Sequence, residues 1–518
     1  VLDLYALEAG LDLIEDYYLQ RGFLRVQVEM NKDAILSYSP DLKSAKLNIL
    51  IQENPQVLVS SVKIQGNLKT KKSIIQREIT FKPGEILTID KIKSSKEHLT
   101  KLGFFSNIRF NIRFEKASAK GTPVEIILSE RKSGTFTTGF GINSELKLTV
   151  KVFAGLDYKN IKGTGRAFST RAELKQNLRQ IDYLENRVFG SYLEPYLFES
   201  DFKGRINLSR NDEIWDISSD QDSFTVIESN RLDFILEREL TEHTTLYLTP
   251  FSLDIRRENV ITDNDNDTSE EIQEIISSIG PSIEIDYRNN PYLPTKGSLS
   301  KIQIEYASPH VGSNTKSKKD VNNDNFEKVD LEYLKVQSSY TFYKPLSKSF
   351  IWAQSFRGGY LHNYSDKKSN GFTPFPKSRA FFLGGATTVR GFAPSQAHER
   401  IPDDGYLETN GGILSGSTIG GGVLNIPKSS YYYLSKTELR FPLSKNSSWW
   451  GSVFYDGGSV QITSLGENYD PWRHAIGVGV RFNTPVGPLL NAEIAYKLDR
   501  KTENDESAIQ FHLSVSSF

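Results

Sequence analysis

"IGVGVRFN", residues 476–483, alternates without a break. Ile476, Val478, Val480 and Phe482 fall on one side of an extended chain, and Gly477, Gly479, Arg481 and Asn483 on the other. A period of two over such a length specifies a strand with one apolar and one wet face. The same pattern recurs widely. Ile283, Ile285 and Tyr287 alternate with Glu284, Asp286 and Arg288. Ile302, Ile304 and Tyr306 alternate with Gln303 and Glu305, and Ile509, Phe511, Leu513 and Val515 with Gln510, His512 and Ser514. From about residue 133 onward the chain keeps this period.

A soluble sandwich would also alternate, so the pattern alone leaves two architectures. Three features favour a membrane barrel. The wet face carries charges at regular intervals. The connecting stretches are long and uneven, as in "ITDNDNDTSEE" and "GSNTKSKKDVNNDN". The chain also finishes on an aromatic, Phe518, directly after its last strand-like run. With strands of roughly 10 residues plus turns, the region holds about 14 to 18 strands, and closure favours an even number.

Composition agrees with that reading. The 518 residues carry a net charge of -1, which argues against the basic footprint of a nucleic-acid binder. There is no cysteine, so disulfides and thiolate metal sites are excluded. No run of eighteen apolar residues forms a transmembrane helix, but a barrel needs none. The 24 tyrosines and 30 phenylalanines suit interfacial girdles. The opening "VLDLYALEAG" has no initiator Met and no signal peptide, and is expected to mark a mature or truncated form.

Residues 1–132 follow another regime. Leu4, Leu7, Leu11, Ile14 and Tyr18 share a helix face that Gly22 ends. The runs "FLRVQVEM" and "AKLNILIQE" are expected as strands. A fuller copy follows: strand "VLVSSVKIQGN", short helix "TKKSIIQREI" with Thr70 as N-cap, helix "IDKIKSSKEHLTKLGF" stopped by Gly103, then strands "IRFNIRF" and "PVEIILSER". The order is β-α-α-β-β, and the first unit looks like the same repeat cut at its N-terminus.

Six motifs, in order along the chain, carry a resemblance. "VKIQGN…LGFFSNIRF…VEIILSERKSG", "IKGTGRAF" with "YLEPYLF", "DYRNNPYLPTKG", "RAFFLGGATTVRGF", "SKTELRFPL" with "VFYDGGSV", and "GVGVRFNTPVGPL" are together similar to the BamA/TamA superfamily of outer-membrane barrel-assembly proteins. The resemblance spans the whole chain. It implies a transmembrane antiparallel β-barrel of about 16 strands, preceded by periplasmic POTRA domains of β-α-α-β-β order. The expected organisation is a partial POTRA domain over 1–56, a POTRA domain over 57–132, and a barrel over 133–518 with a lumen-inserted loop at 372–430. The implied setting is the bacterial outer membrane. The implied partners are unfolded outer-membrane clients, periplasmic chaperones or accessory assembly proteins, and outer-membrane lipids. No cofactor and no enzymatic activity are expected.

The resemblance also assigns residues. By spacing alone Arg390 is a solvated loop arginine. In the family, the Arg of this loop meets carboxylates on the inner wall, so Val389, Arg390, Gly391 and Phe392 become a lumen latch. Its matching carboxylates are Glu438 and Asp456. Strand parity allows this: Lys436, Glu438 and Arg440 lie opposite the apolar Leu439 and Phe441, whereas Asp456 shares its face with Ser452 and, less comfortably, Phe454. Gly384, Gly385 and Gly391 would let the backbone approach the wall.

The first and last strands must pair to close a barrel. Phe136, Gly139, Phe140 and Gly141 on the first, with Phe511, Leu513, Val515 and Phe518 on the last, are the expected lateral seam. Phe518 is out of step with its strand. An opened seam would template a client strand through main-chain hydrogen bonds. A polypeptide-translocating pore of the two-partner-secretion type is the alternative function. BamA and TamA subtypes stay undivided, since the number of POTRA repeats before Val1 is not in the sequence. "DNDNDTSEEIQE" places Asp263, Asp265, Asp267 and Glu274 at EF-hand spacing, but Thr268 stands where Gly is required, leaving a solvated loop or an adventitious divalent site. "KTKK", Lys69–Lys72, is a solvated helix start or a headgroup or partner contact.

Overall fold

The computed structural model describes all residues except 1–3, 42, 119, 144–148, 178–182, 218–222, 263–271, 292, 319–325, 348, 366–373, 377–378, 382, 393–422, 426–428, 445–447, 463–471, 485–486, 500–507 and 516–518. Two compact units divide it: residues 1–135 with 157–168, and residues 136–156 with 169–518.

In the first unit, the helix Leu4–Leu19 ends at Gly22, whose φ of 90° is left-handed and costs a side-chain-free residue little. Leu11, Val26, Val28 and Ile35 form a small core beneath it. The two strands expected here are replaced by two short ladders. Gln27–Val28 pairs with Ile51–Gln52, and Leu36–Tyr38 with Ala45–Leu47. The helical turn Lys32–Ile35 separates them and breaks the period of two.

The next repeat has the expected β-α-α-β-β order. Strand Val59–Gln65 runs parallel to the central strand Thr122–Glu130, and Phe105–Ile112 pairs with that strand's other edge antiparallel. Ile75 and Leu99 from the two helices pack on Ile108, Ile126 and Leu128. Thr88 caps helix Ile89–Lys101 by accepting from the Lys91 amide. Thr70 does not cap the shorter helix, which starts at Lys72 after Lys71. A better acceptor takes its hydroxyl: Thr70 donates to Glu130 and accepts from Asn160 Nδ2 at 2.8 Å. Lys69 and Lys71 keep exposed side chains while their amides bond Glu130 and the Gly163 carbonyl. A Cβ at Gly163 would lie 2.0 Å from the Lys69 carbonyl oxygen, so only glycine fits this turn. Burial raises the Glu130 carboxyl, but bonds from the Thr70 hydroxyl and the Thr70 and Lys69 amides outweigh it and hold the group below the usual carboxylate range.

The second unit is a closed antiparallel barrel. Among the described residues eighteen strands share its sheet order; two of them, Asn314–Lys318 and Phe326–Asp330, form a hairpin that lengthens one strand, leaving sixteen around the wall. These are β1 (Gly134–Asn143), β2 (Thr149–Tyr158), β3 (Ala167–Asn177), β4 (Leu184–Glu194), β5 (Lys203–Ile217), β6 (Ser223–Thr241), β7 (Thr244–Thr262) and β8 (Ile272–Asp286). There follow β9 (Gly297–Ala307), β10 (Tyr333–Pro345), β11 (Ile351–Asn363), β12 (Ser429–Pro442), β13 (Trp449–Ile462), β14 (Trp472–Thr484), β15 (Gly487–Lys497) and β16 (Ile509–Val515). The hairpin's first strand falls inside "GSNTKSKKDVNNDN", expected as loop, and its second follows directly after; the first pairs with β8 because β8 projects beyond β9 and offers an open edge. Glu274, the last residue of the calcium-like pattern, is a buried residue of β8. Asp263, Asp265 and Asp267 lie outside the described residues.

The wall is inside out relative to a soluble protein. Ile476, Val478, Val480, Ile494 and Phe511 are exposed outward, while Asp456, Arg473, Arg481, Glu493 and His512 are buried inward. Contiguous exposed apolar surface around a closed ring needs a lipid solvent, and closure pairs the backbone groups that lipid cannot satisfy. Among the described residues no helix is long and apolar enough to cross a membrane; the strands cross it.

Candidate functional site

Gly384–Phe392 folds as a compact turn inside the barrel. Thr388 Oγ1 donates to the Gly384 carbonyl and accepts from its amide, and the Gly385 amide bonds the Phe392 carbonyl at 2.7 Å. Gly384 and Gly385 have φ of 113° and 90°, which branched residues avoid. Val389 and Phe392 are buried in an apolar cluster with Leu383, Leu434, Val460 and Ala475. At Gly391 a Cβ would stand 2.6 Å from Ala475 Cβ, so the backbone lies directly on β14.

That turn drives Arg390 into the wall, 1% exposed. Its Nε and Nη2 form a fork on Asp456, 2.7 Å to Oδ2 and 2.8 Å to Oδ1. The Arg390 amide bonds the same Oδ2 at 3.2 Å. Nη1 donates to Glu493 Oε1 at 2.9 Å and stands 3.5 Å from Glu438 Oε2. Glu438 is chiefly held by others: Arg481 Nη2 at 2.7 Å and Arg440 Nε at 3.0 Å. Three guanidiniums and three carboxylates thus neutralise one another in a site from which water is excluded, where each lost partner is costly.

Parity places both expected carboxylates on the inner wall, and Asp456 is the principal partner. Glu493, the second one, was not singled out in the sequence. The signal was available: in "NAEIAYK" Glu493 alternates with outward Ile494 and Tyr496. The awkward Phe454 also has its reason. Its ring faces inward beneath the guanidinium, 3.3 Å from Arg390 Cζ to the centroid, and acts as a cation–π platform. His512 of β16 was likewise missed; its Nε2 donates to the Arg390 carbonyl at 2.6 Å.

β16 and β1 are neighbours in the closed order. Phe136 and Phe140 are 71% and 81% exposed on β1, and Phe511 is 49% exposed on β16, with Leu513 half-buried. Gly139 lies flat on the Phe153 ring of β2, where a Cβ would come within 2.5 Å, and Gly141 is buried near Lys151. Val515 pairs with Leu490 in the β15–β16 ladder. The Phe518 expectation, and most of the 372–430 loop, lie outside the described residues.

A profile of the Omp85 superfamily domain matches residues 160–518. This chain belongs to the Omp85 superfamily. Residues 57–131 match the POTRA profile, a surface antigen variable number repeat. The outer membrane protein assembly factor BamA of Neisseria meningitidis is 23% identical over 92% of this chain and 58% of that protein. The BamA of Nitratidesulfovibrio vulgaris is 20% identical over 98% of this chain and 56% of that protein. The chain therefore spans a little over half the length of these curated relatives. A crystal structure of Haemophilus ducreyi BamA lacking POTRA domains 1–3 superposes with a TM-score of 0.63 at 19% identity, covering 99% of this chain and 93% of that one, and shares its fold.

Proposed function

We propose that this chain folds client β-barrel proteins into the outer membrane through a lateral opening between β1 and β16, with its POTRA repeats in the periplasm. The observation that carries the reading is the closing pair. Among the described residues β16 spans 7 residues, against 19 each in β6 and β7, and a short closing strand has few ladder hydrogen bonds to break. An opened β1 edge offers main-chain donors and acceptors in register with any client strand, whatever its sequence. The glycines of β1 weaken its own packing, and the exposed phenylalanines would keep it in lipid.

In this reading residues 1–56 and 57–132 are client-facing POTRA repeats, and 133–518 is the insertion barrel. The Arg390 hub is the latch that holds the loop inside. Clients, periplasmic chaperones or accessory proteins, and disordered lipid beside the closing pair would be the partners. The names of the relatives favour assembly over a translocating pore. Depletion separates the two: simultaneous loss of many outer-membrane barrels is expected, whereas loss of one secreted polypeptide alone would replace insertion with transport.

A further inference from the structure

Arg379 stands at the other end of the loop stretch that Arg390 fastens. Its side chain is 13% exposed. Nη2 donates to Asp254 Oδ2 at 2.9 Å, and Nε lies 3.4 Å from Glu305 Oε1. Both carboxylates are pre-set by the wall: Ser229 Oγ donates to Asp254 Oδ1 at 3.0 Å, and Tyr333 Oη to Glu305 Oε1 at 2.8 Å. Lys335 Nζ donates to the Arg379 carbonyl at 2.8 Å and faces the Phe381 ring at 4.9 Å. These groups come from β6, β7, β9 and β10. The Arg390 hub draws on β12 to β16. Among the described residues no wall strand gives a hydrogen-bond or ion-pair partner to both Arg379 and Arg390.

The chain between the two arginines is tied as it crosses. Arg357 of β11 donates to the Thr387 carbonyl at 3.2 Å, and Lys436 of β12 to the Ala386 carbonyl at 3.1 Å. One apolar cluster runs the whole way, from Tyr333, Leu361 and Phe375 at the Arg379 end to Val460 and Ala475 at the Arg390 end. A solvated lumenal arginine would contribute almost nothing. Here Asp254 is 2% exposed, so the pair is desolvated and its geometry is fixed from both sides.

We propose that Arg379 is a second positioning residue, which fastens the loop to the β7–β10 arc independently of Arg390. The loop is then a strap between two arcs of the barrel, one of which contains the closing strand β16. Releasing either end frees that end alone. This goes beyond the insertion reading and holds for any function of the barrel.

The full chain has no cysteine, so single introduced thiols report each end in a bilayer. Ala380→Cys sits beside Arg379, and Val389→Cys beside Arg390. Arg379→Gln is expected to raise maleimide labelling at Ala380→Cys at least tenfold and leave Val389→Cys within twofold. Arg390→Gln is expected to do the reverse, and Arg379→Lys, which keeps the charge but loses the fork, to fall between. Asp254→Asn removes the wall acceptor without touching the loop and carries the same expectation should Arg379→Gln fail to fold. Arg256, 3.4 Å from Asp254, leaves the wall one cation when Arg379 is replaced. Unchanged labelling at Ala380→Cys in both Arg379→Gln and Asp254→Asn, or equal release of both ends by Arg379→Gln, overturns the second fastener.

Discussion

Nε2 of His512 donates a hydrogen bond to the backbone carbonyl of Arg390 across 2.6 Å, joining the last barrel strand to the lumenal loop. A carbonyl only accepts, so the contact requires a proton on Nε2. The latch and the closing strand therefore share an atom-to-atom link. Movement of β16 away from the loop must break it. His512→Phe keeps the ring and removes the donor, at a cost of about 1 kcal/mol. The expected outcome is a lower temperature for loss of heat-modifiable mobility, with His512→Gln closer to the parent. Parental resistance in His512→Phe with a loss in His512→Gln would show that only the ring's bulk matters.

The Arg390 hub gives a larger effect. Arg390→Ala strands Asp456 and Glu493 in a dry site, where breaking one buried pair costs roughly 3–5 kcal/mol. Arg390→Lys keeps charge but cannot fork on Asp456 while reaching Glu493. The expected order of thermal resistance is parent, then Lys, then Ala, measured by mobility on gels after graded heating. An Arg390→Ala barrel with parental resistance and full activity contradicts the latch.

Phe454 supplies a finer test. Phe454→Leu preserves an apolar side chain and removes the π face, worth about 0.5–2 kcal/mol under a desolvated guanidinium. Its loss of thermal resistance is expected to be clear but smaller than that of Arg390→Ala, and to vanish when Arg390 is already alanine. Additive losses in the double variant would place Phe454 outside the hub.

The POTRA repeat is expected to weaken in acid through Glu130. Its folded carboxyl lies below the ordinary value, so its stabilisation is complete above about pH 4.5 and is lost as pH falls through the folded value. Hydrogen-exchange protection of strand Thr122–Glu130 in the full chain, taken relative to the intrinsic rate at each pH, is expected to fall below about pH 4.5 in the parent. Glu130→Gln is expected to exchange faster at neutral pH with a flatter acid response. Parallel pH profiles for the two would remove Glu130 from the account.

The period of two made the barrel legible, because lipid and lumen impose opposite chemistry on successive residues. The same parity placed Glu438 and Asp456 on the inner wall. The same period runs through "NAEIAYK", where Glu493 was passed over, and through "AIQFHLSV", where it set His512 on the wet face without revealing the Arg390 carbonyl as its partner. Phe454 read as an exception because parity counts an inward aromatic as misplaced; only the guanidinium above it supplies a reason. Thr70 misled for a different cause. A threonine before a helix fits an N-cap locally, and Glu130 and Asn160, distant in sequence, compete for its hydroxyl. Arg379 stood inside the quoted motif, yet its partners Asp254 and Glu305 lie on strands far upstream that only closure of the barrel brings to it.

The insertion reading rests on the opening of one strand pair, and a covalent lock across that pair tests it. Cysteine pairs scanned along Gly134–Asn143 and Ile509–Val515, beginning near Gly139 and Leu513, form disulfides only where β1 and β16 are in register. Locked protein in vesicles is then given an unfolded barrel client, with and without reductant. The account predicts that the oxidised lock stops client insertion and that reduction restores it. Insertion at the unlocked rate through a fully oxidised seam contradicts it.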